Sequence, residues 1–151
     1  MAYRIKTLNG GEGNLPAPFI QELDVKSGTA SSIEPGMLVV KDGSNAGYVA
    51  AGANGATTSA IVVGVAASTS SETASADGKV LVESAPYFLA QMFATTPGNL
   101  SQAVKLTACT LDVSSGAYTV DENDTTNGFI RIYSYDSTTG ECIVSFACDI
   151  W

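Results

Sequence analysis

At 151 residues, with 45% hydrophobic and 15% charged side chains, this chain has the composition of one globular unit large enough to bury its own core, not of a disordered segment. Its formal net charge of -8 and isoelectric point near 4.2 argue against nucleic acid and against an anionic membrane surface, both of which call for clustered Lys and Arg. The absence of histidine removes Ser-His-Asp and Cys-His catalysis and the commonest zinc ligand together.

Residues 1–19 read as an extended N-terminal arm. Asn9-Gly10-Gly11-Glu12-Gly13-Asn14 cannot hold a helix, and Pro16 and Pro18 bias their neighbours to extended backbone. Tyr3, Ile5, Leu8, Leu15 and Phe19 make the arm too apolar for a free tail, so these five are the candidate contacts with the body or with another chain. The remainder, residues 20–151, is expected to form one β-barrel or β-sandwich.

Phe19 to Val25 alternates with an imperfect two-residue period and predicts a strand. Residues 26–32 follow as a loop. Glu34-Pro35-Gly36 then opens a strand over Met37 to Lys41, and Asp42 to Gly47 turns it into Tyr48-Val49-Ala50, a hairpin. Residues 51–60 and 67–77 are rich in Ala, Gly, Ser and Thr and are expected in surface loops. Between them Ile61 to Ala66 has the length and apolarity of a central strand, where Gly64 marks a bulge or a close backbone approach.

Asp77-Gly78-Lys79 leads into a strand over Val80 to Glu83. Pro86 to Ala94 fits either a two-turn helix or a strand, and the β surroundings favour the strand. Val104 to Val113 and Ala117 to Val120 continue the pattern. The last hairpin runs from Phe129 to Asp136, turns through Ser137 to Gly140 and returns over Glu141 to Cys148. On the return strand Cys142, Val144, Phe146 and Cys148 share one face, which predicts a core-facing side. Short strands with frequent turns predict an all-β barrel or sandwich, and no exact internal repeat is visible.

Candidate chemistry is sparse, and no catalytic, cofactor or metal residues are assigned. Cys109, Cys142 and Cys148 are odd in number and lack CxxC spacing, so they read as small buried hydrophobes. About 20 Å of extended strand separates the last two. Asp121-Glu122-Asn123-Asp124 is the one dense acidic cluster; a solvated turn explains it, and a calcium loop is the alternative. The glycines of Asn9 to Gly13 lack the strand and helix that a phosphate-binding loop needs. Tyr87, Phe88, Met92 and Phe93 read as core or a subunit contact, with an aromatic face for sugars or bases as the alternative. Trp151 is expected to pack on the body or a neighbour. Met1 to Lys6 carries no apolar leader, and no apolar run is long enough to span a bilayer, so the chain is expected to be made and kept in a cytoplasm or in something assembled there.

Pro35-Gly36-Met37-Leu38-Val39-Val40, the hairpin to Tyr48-Val49-Ala50, Ile61 to Ala66, Gly78 to Val82 and the closing Ile132 to Phe146 hairpin follow one another in an order that resembles capsid decoration (cement) proteins of tailed bacteriophages. The resemblance covers roughly residues 20–149. It implies a small β-barrel or β-sandwich with an extended N-terminal arm that binds the outside of an assembled head. Its implied partners are the major capsid protein, whose subunits it would bridge, and its own copies, often as a trimer. Strand addition by the arm is the expected mode. Other readings stay open at this point: a head fibre or tail part, or a carbohydrate-binding adhesive module using Tyr48, Tyr87 or Tyr118 as a stacking platform.

Overall fold

β-branched and apolar runs released by turn residues become eleven strands, joined by loops and two short 3-10 turns, in a computed structural model that describes residues 2–10, 17–28 and 32–149. In chain order these are β1 (Lys6–Thr7), β2 (Phe19–Val25), β3 (Leu38–Lys41), β4 (Val49–Ala51), β5 (Val62–Ala66), β6 (Gly78–Ser84), β7 (Tyr87–Ala94), β8 (Ala108–Ser114), β9 (Ala117–Asp121), β10 (Ile130–Tyr135) and β11 (Glu141–Ala147). The all-β expectation holds. Pro86-Tyr87 opens a strand, with Phe88, Ala90, Met92 and Ala94 buried on one face at the two-residue period a helix does not have.

Strands β2, β4, β3, β5 and β6 close into a five-stranded barrel. The second sheet runs β1-β7-β11-β10-β8-β9, and a β7–β9 pairing joins the ends of its last five strands into another ring. The two rings have the same topology, strand for strand. In each, the first strand runs parallel to the third, as Val25 beside Val49 and Phe93 beside Thr119. In each, the second and third strands form a hairpin, the second also pairs with the fourth, and the fifth pairs antiparallel with both the fourth and the first. The chain thus folds one topology twice, a repeat the sequence does not announce.

The barrel interior follows from strand alternation. Val80, Val82 and Ser84 of β6, Ile130 and Ile132 of β10, and Cys142, Val144 and Phe146 of β11 all point inward and are buried. All five residues of β5 are buried, so both its faces are covered. Buried side chains from both rings belong to one contiguous cluster. Burial at roughly 25 cal/mol per Å² of apolar surface is the main stabilising term.

Gly64 is both of the things its position suggested. Val39 pairs with Gly64 but Val40 with Val62, which leaves Val63 as a bulge. A Cβ on Gly64 would stand 1.9 Å from the Glu83 carbonyl oxygen. Only glycine lets β5 and β6 approach this closely.

Between the rings, Gly55 N–H donates to the Leu111 carbonyl at 2.8 Å and Thr58 N–H to that of Asn127 at 2.9 Å. Asn54 Oδ1 accepts from Val113 N–H at 2.8 Å, and the Tyr118 hydroxyl donates to the Gly52 carbonyl at 3.0 Å. Past β11, Asp149 clasps Val62: its N–H donates to the Val62 carbonyl at 2.9 Å, and its carboxylate accepts from Val62 N–H at 3.1 Å. The small-residue segment 51–60 is therefore seam as well as surface loop.

Segment 67–77 is also more ordered than its composition suggests. Ser68 Oγ and Ser71 Oγ accept from the N–H groups of Leu81 and Lys79, and Ala67 and Ser71 donate to the carbonyls of the same two residues. Serine oxygens stand in for ladder carbonyls along β6.

Candidate functional site

The arm expected over residues 1–19 does not extend from the body where it is described. Residues 3–9 lie on both rings. Tyr3 stacks on Phe93 with ring centroids 4.2 Å apart and 22° between planes, and its carbonyl accepts from Tyr118 N–H at 2.9 Å. Ile5 is buried, and its N–H donates to the Gly36 carbonyl at 2.9 Å. Arg4 pairs with Glu34 at 2.6 Å and donates to the Gly116 carbonyl. Leu8 N–H donates to the Leu89 carbonyl at 2.8 Å. Tyr3, Ile5 and Leu8, three of the apolar residues that disfavoured a free tail, thus engage the body of this chain. Leu15 lies outside the described residues, as does Trp151.

Phe19 lies in the first ring. It opens β2 and is exposed, next to Ile20 at 59% exposure, and Leu81 on neighbouring β6 is exposed as well. β2 pairs along its whole length with β6 on one side. On the other side only Val25 has a ladder partner, Val49; Ile20 to Asp24 have none among the described residues. In the second ring the matching stretch of β7 is covered by β1, with Lys6 opposite Gln91 and Thr7 opposite Ala90. The same edge is covered in one ring and has no ladder partner among the described residues in the other.

The barrel seam above that edge is tied by charge. Asp77 accepts from the Tyr48 hydroxyl at 2.7 Å and Ser27 N–H at 2.9 Å, and pairs with Lys26 at 3.2 Å. The Tyr48 hydrogen bond above all, then those of Ser27 and Lys26, holds the Asp77 carboxyl far below the usual carboxylate range. The same pairing raises the Lys26 ammonium and the Tyr48 phenol. Lys26 also sits 5.2 Å from the Tyr48 ring centroid. Lys79 pairs with Asp24 at 2.9 Å and Glu22 at 3.5 Å. These groups close the end of the β2–β4–β6 junction, and their mutual satisfaction leaves them a structural task.

The acidic cluster divides. Asp121, Asn123 and Asp124 form the expected turn, but Glu122 is 3% exposed. Its carboxylate accepts from Thr96 N–H at 3.1 Å and Asn99 Nδ2 at 3.3 Å, so it anchors the 3-10 turn over Pro97–Asn99. No group of three or more His, Cys, Asp or Glu that would hold a metal occurs among the described residues. The three thiols are free and buried. Burial first, and the negative Glu122 second, pushes Cys109 and Cys142 up to about 11.

Of the three tyrosines considered as a stacking platform, Tyr118 is excluded by burial, and Tyr48 is half-buried and committed to Asp77. Tyr87 is 57% exposed. It stands on the outer face of β7, β11 and β10 beside a trough of about 570 Å³ lined also by Leu89, Phe129, Arg131, Tyr133 and Ser145. Tyr133 and Arg131 were not anticipated, because β10 read simply as an alternating strand. No helix among the described residues is long and apolar enough to cross a membrane.

Comparison of this chain with protein-family models, with curated proteins and with solved structures yields no match.

Proposed function

We propose that the chain is a structural virion protein of the decoration (cement) class, binding the outer surface of an assembled tailed-phage head and stabilising it by bridging neighbouring major capsid subunits. The observation that carries this reading is the edge of β2, where Ile20 to Asp24 have no ladder partner among the described residues and stand beside the exposed side chains of Ile20 and Leu81. An uncovered edge flanked by apolar groups is a template for strand addition by another chain. The order of turn-and-strand modules that resembles decoration proteins supports the same reading, as does the all-β body.

In this reading the binding surface is not a free arm. Residues 3–9 hold the two rings together, and Phe19 and the β2 edge meet the shell. Many copies, each weakly bound, stabilise the head by mass action and avidity, with no catalytic step and no cofactor. Copies grouped as a trimer would add valency.

The test is head stability. Heads lacking decoration protein are heated with and without the chain, and release of packaged DNA is followed. A rise in release temperature that saturates with added protein supports the reading. An Ile20→Asp variant, folded but without this effect, would assign it to the β2 edge. No change at saturating protein would oppose the reading, and binding to isolated tails instead would move it to a tail part.

A further inference from the structure

The trough is formed by strands of the second ring, whereas the β2 edge belongs to the first, and its chemistry is different. β11 supplies a low floor, with Ser145 and Ala147 facing outward. The strands on either side supply tall walls. Leu89 and Arg131 flank Ser145 from β7 and β10, and Tyr87 stands beside Ala147. Phe129 and Tyr133 extend the β10 wall. Small residues on a central strand between aromatic residues on its neighbours leave a slot for a flat, partly apolar ring.

The polar groups of the slot are unspent. The hydroxyls of Tyr87, Tyr133 and Ser145 have no hydrogen-bond partner among the described residues. Arg131 donates through Nη1 to the Leu106 carbonyl, which fixes the guanidinium at the rim, and its other N–H donors are unclaimed. Arg131 is the one charged side chain lining the slot, on a body of net charge -8. A single localised anion fits there, while a polyanion is repelled by the rest of the surface.

We propose that this trough binds a glycan through a sugar carrying one carboxylate. The C–H faces of the sugar ring stack on Tyr87 and Tyr133, its hydroxyls bond the phenols and Ser145, and the carboxylate takes the fork of Arg131. A stretch of peptide would also cover the apolar walls, but a sugar ring carries more hydroxyls over the same area to match the two phenols and Ser145. This second binding function is independent of head binding, and either can fail without the other.

The experiment is binding of sialyllactose and of digalacturonate to the full chain, by calorimetry and ligand-observed NMR, with lactose as the neutral comparison. The acidic sugars are expected to bind at least tenfold more tightly than lactose. Arg131→Gln should abolish that preference, and Tyr133→Ala should weaken every sugar at least tenfold. Ser145→Tyr, which fills the floor, should abolish binding while the thermal transition stays in place, so that loss of sugar is not loss of fold. Absence of binding by both acidic sugars at ~10 mM, where even Kd values near 1 mM are visible, overturns the proposal. Equal binding of lactose, or binding unchanged in the Ser145→Tyr chain, overturns it as well.

Discussion

Arg4 lies directly across Gly36: a Cβ on that glycine would stand 2.6 Å from the Arg4 Cβ. Gly36 has φ +83, so it also takes a backbone conformation that side chains resist. Its carbonyl accepts from Ile5 N–H, and its own N–H donates to the Ala66 carbonyl at 2.9 Å. One glycine thus lets the N-terminal strand lie against the first ring while Tyr3 and Thr7 engage the second.

The N-terminal segment is therefore expected to act as a staple. Ile5→Ala should cost about 2–5 kcal/mol, because a buried side chain is removed from a site fixed by backbone bonds on both sides. Deleting residues 1–9 should lower the thermal midpoint more than that single change. Denaturant unfolding of both variants checks this, and a truncated chain as stable as the full one would show that the staple contributes nothing.

Gly64→Ala should be among the most damaging single changes. The new methyl meets the Glu83 carbonyl, a backbone atom that cannot rotate away, so strands must separate at a cost of roughly 3 kcal/mol or more. Loss of soluble, cooperatively unfolding protein is the expected result. Near wild-type stability would mean that β5 and β6 are not so close.

Thr110 offers a change in the other direction. Its hydroxyl is buried without a hydrogen-bond partner among the described residues. Thr110→Val keeps the shape and removes the unmet polar group, and should stabilise the chain by about 1 kcal/mol. A lower thermal midpoint for the valine variant would contradict this.

Acid should loosen the seam at Asp77. Its folded carboxyl lies below the ordinary range, so the stability it contributes is present above the unfolded value near 3.8 and is lost as pH falls toward the folded one. Asp77→Asn should therefore lower the thermal midpoint at neutral pH, with the gap to wild type shrinking as the medium is acidified below that value. A gap that does not depend on pH would remove Asp77 from this role.

The buried thiols give a simple probe of order. With Cys109 and Cys142 raised to about 11 and shielded from solvent, alkylation at pH 8 should be slow in the native chain and fast in denaturant. Rapid native labelling would mean that the second ring opens readily.

Local patterns made much of this fold readable from sequence. β2 begins and ends at Phe19 and Val25 as its alternation indicates, and the last hairpin buries the cysteine-bearing face that its period implies. Features set by distant contacts were not readable. β1 is two residues long and exists because the edge of β7 is there to receive it. The strand expected from Val104 begins instead at Ala108. Gln102–Val104 forms a 3-10 turn, and Leu106 takes φ 64 with its N–H on the Ile132 carbonyl. The repeated ring topology is a property of strand pairing, which tolerates different residues at matching places. For the candidate sites, Phe19 was legible as an apolar residue of the N-terminal segment and Tyr87 only as one of three stacking tyrosines, whereas Arg131 was not legible, because its role depends on which strands flank β11.

The most direct measurement is co-sedimentation of the purified chain with tailed-phage heads that lack decoration protein, quantified as copies bound per head. Binding is expected to saturate at a number compatible with the symmetry of the shell and to be reduced by Ile20→Asp in a chain that remains folded. Absence of binding by folded, monodisperse protein would contradict it.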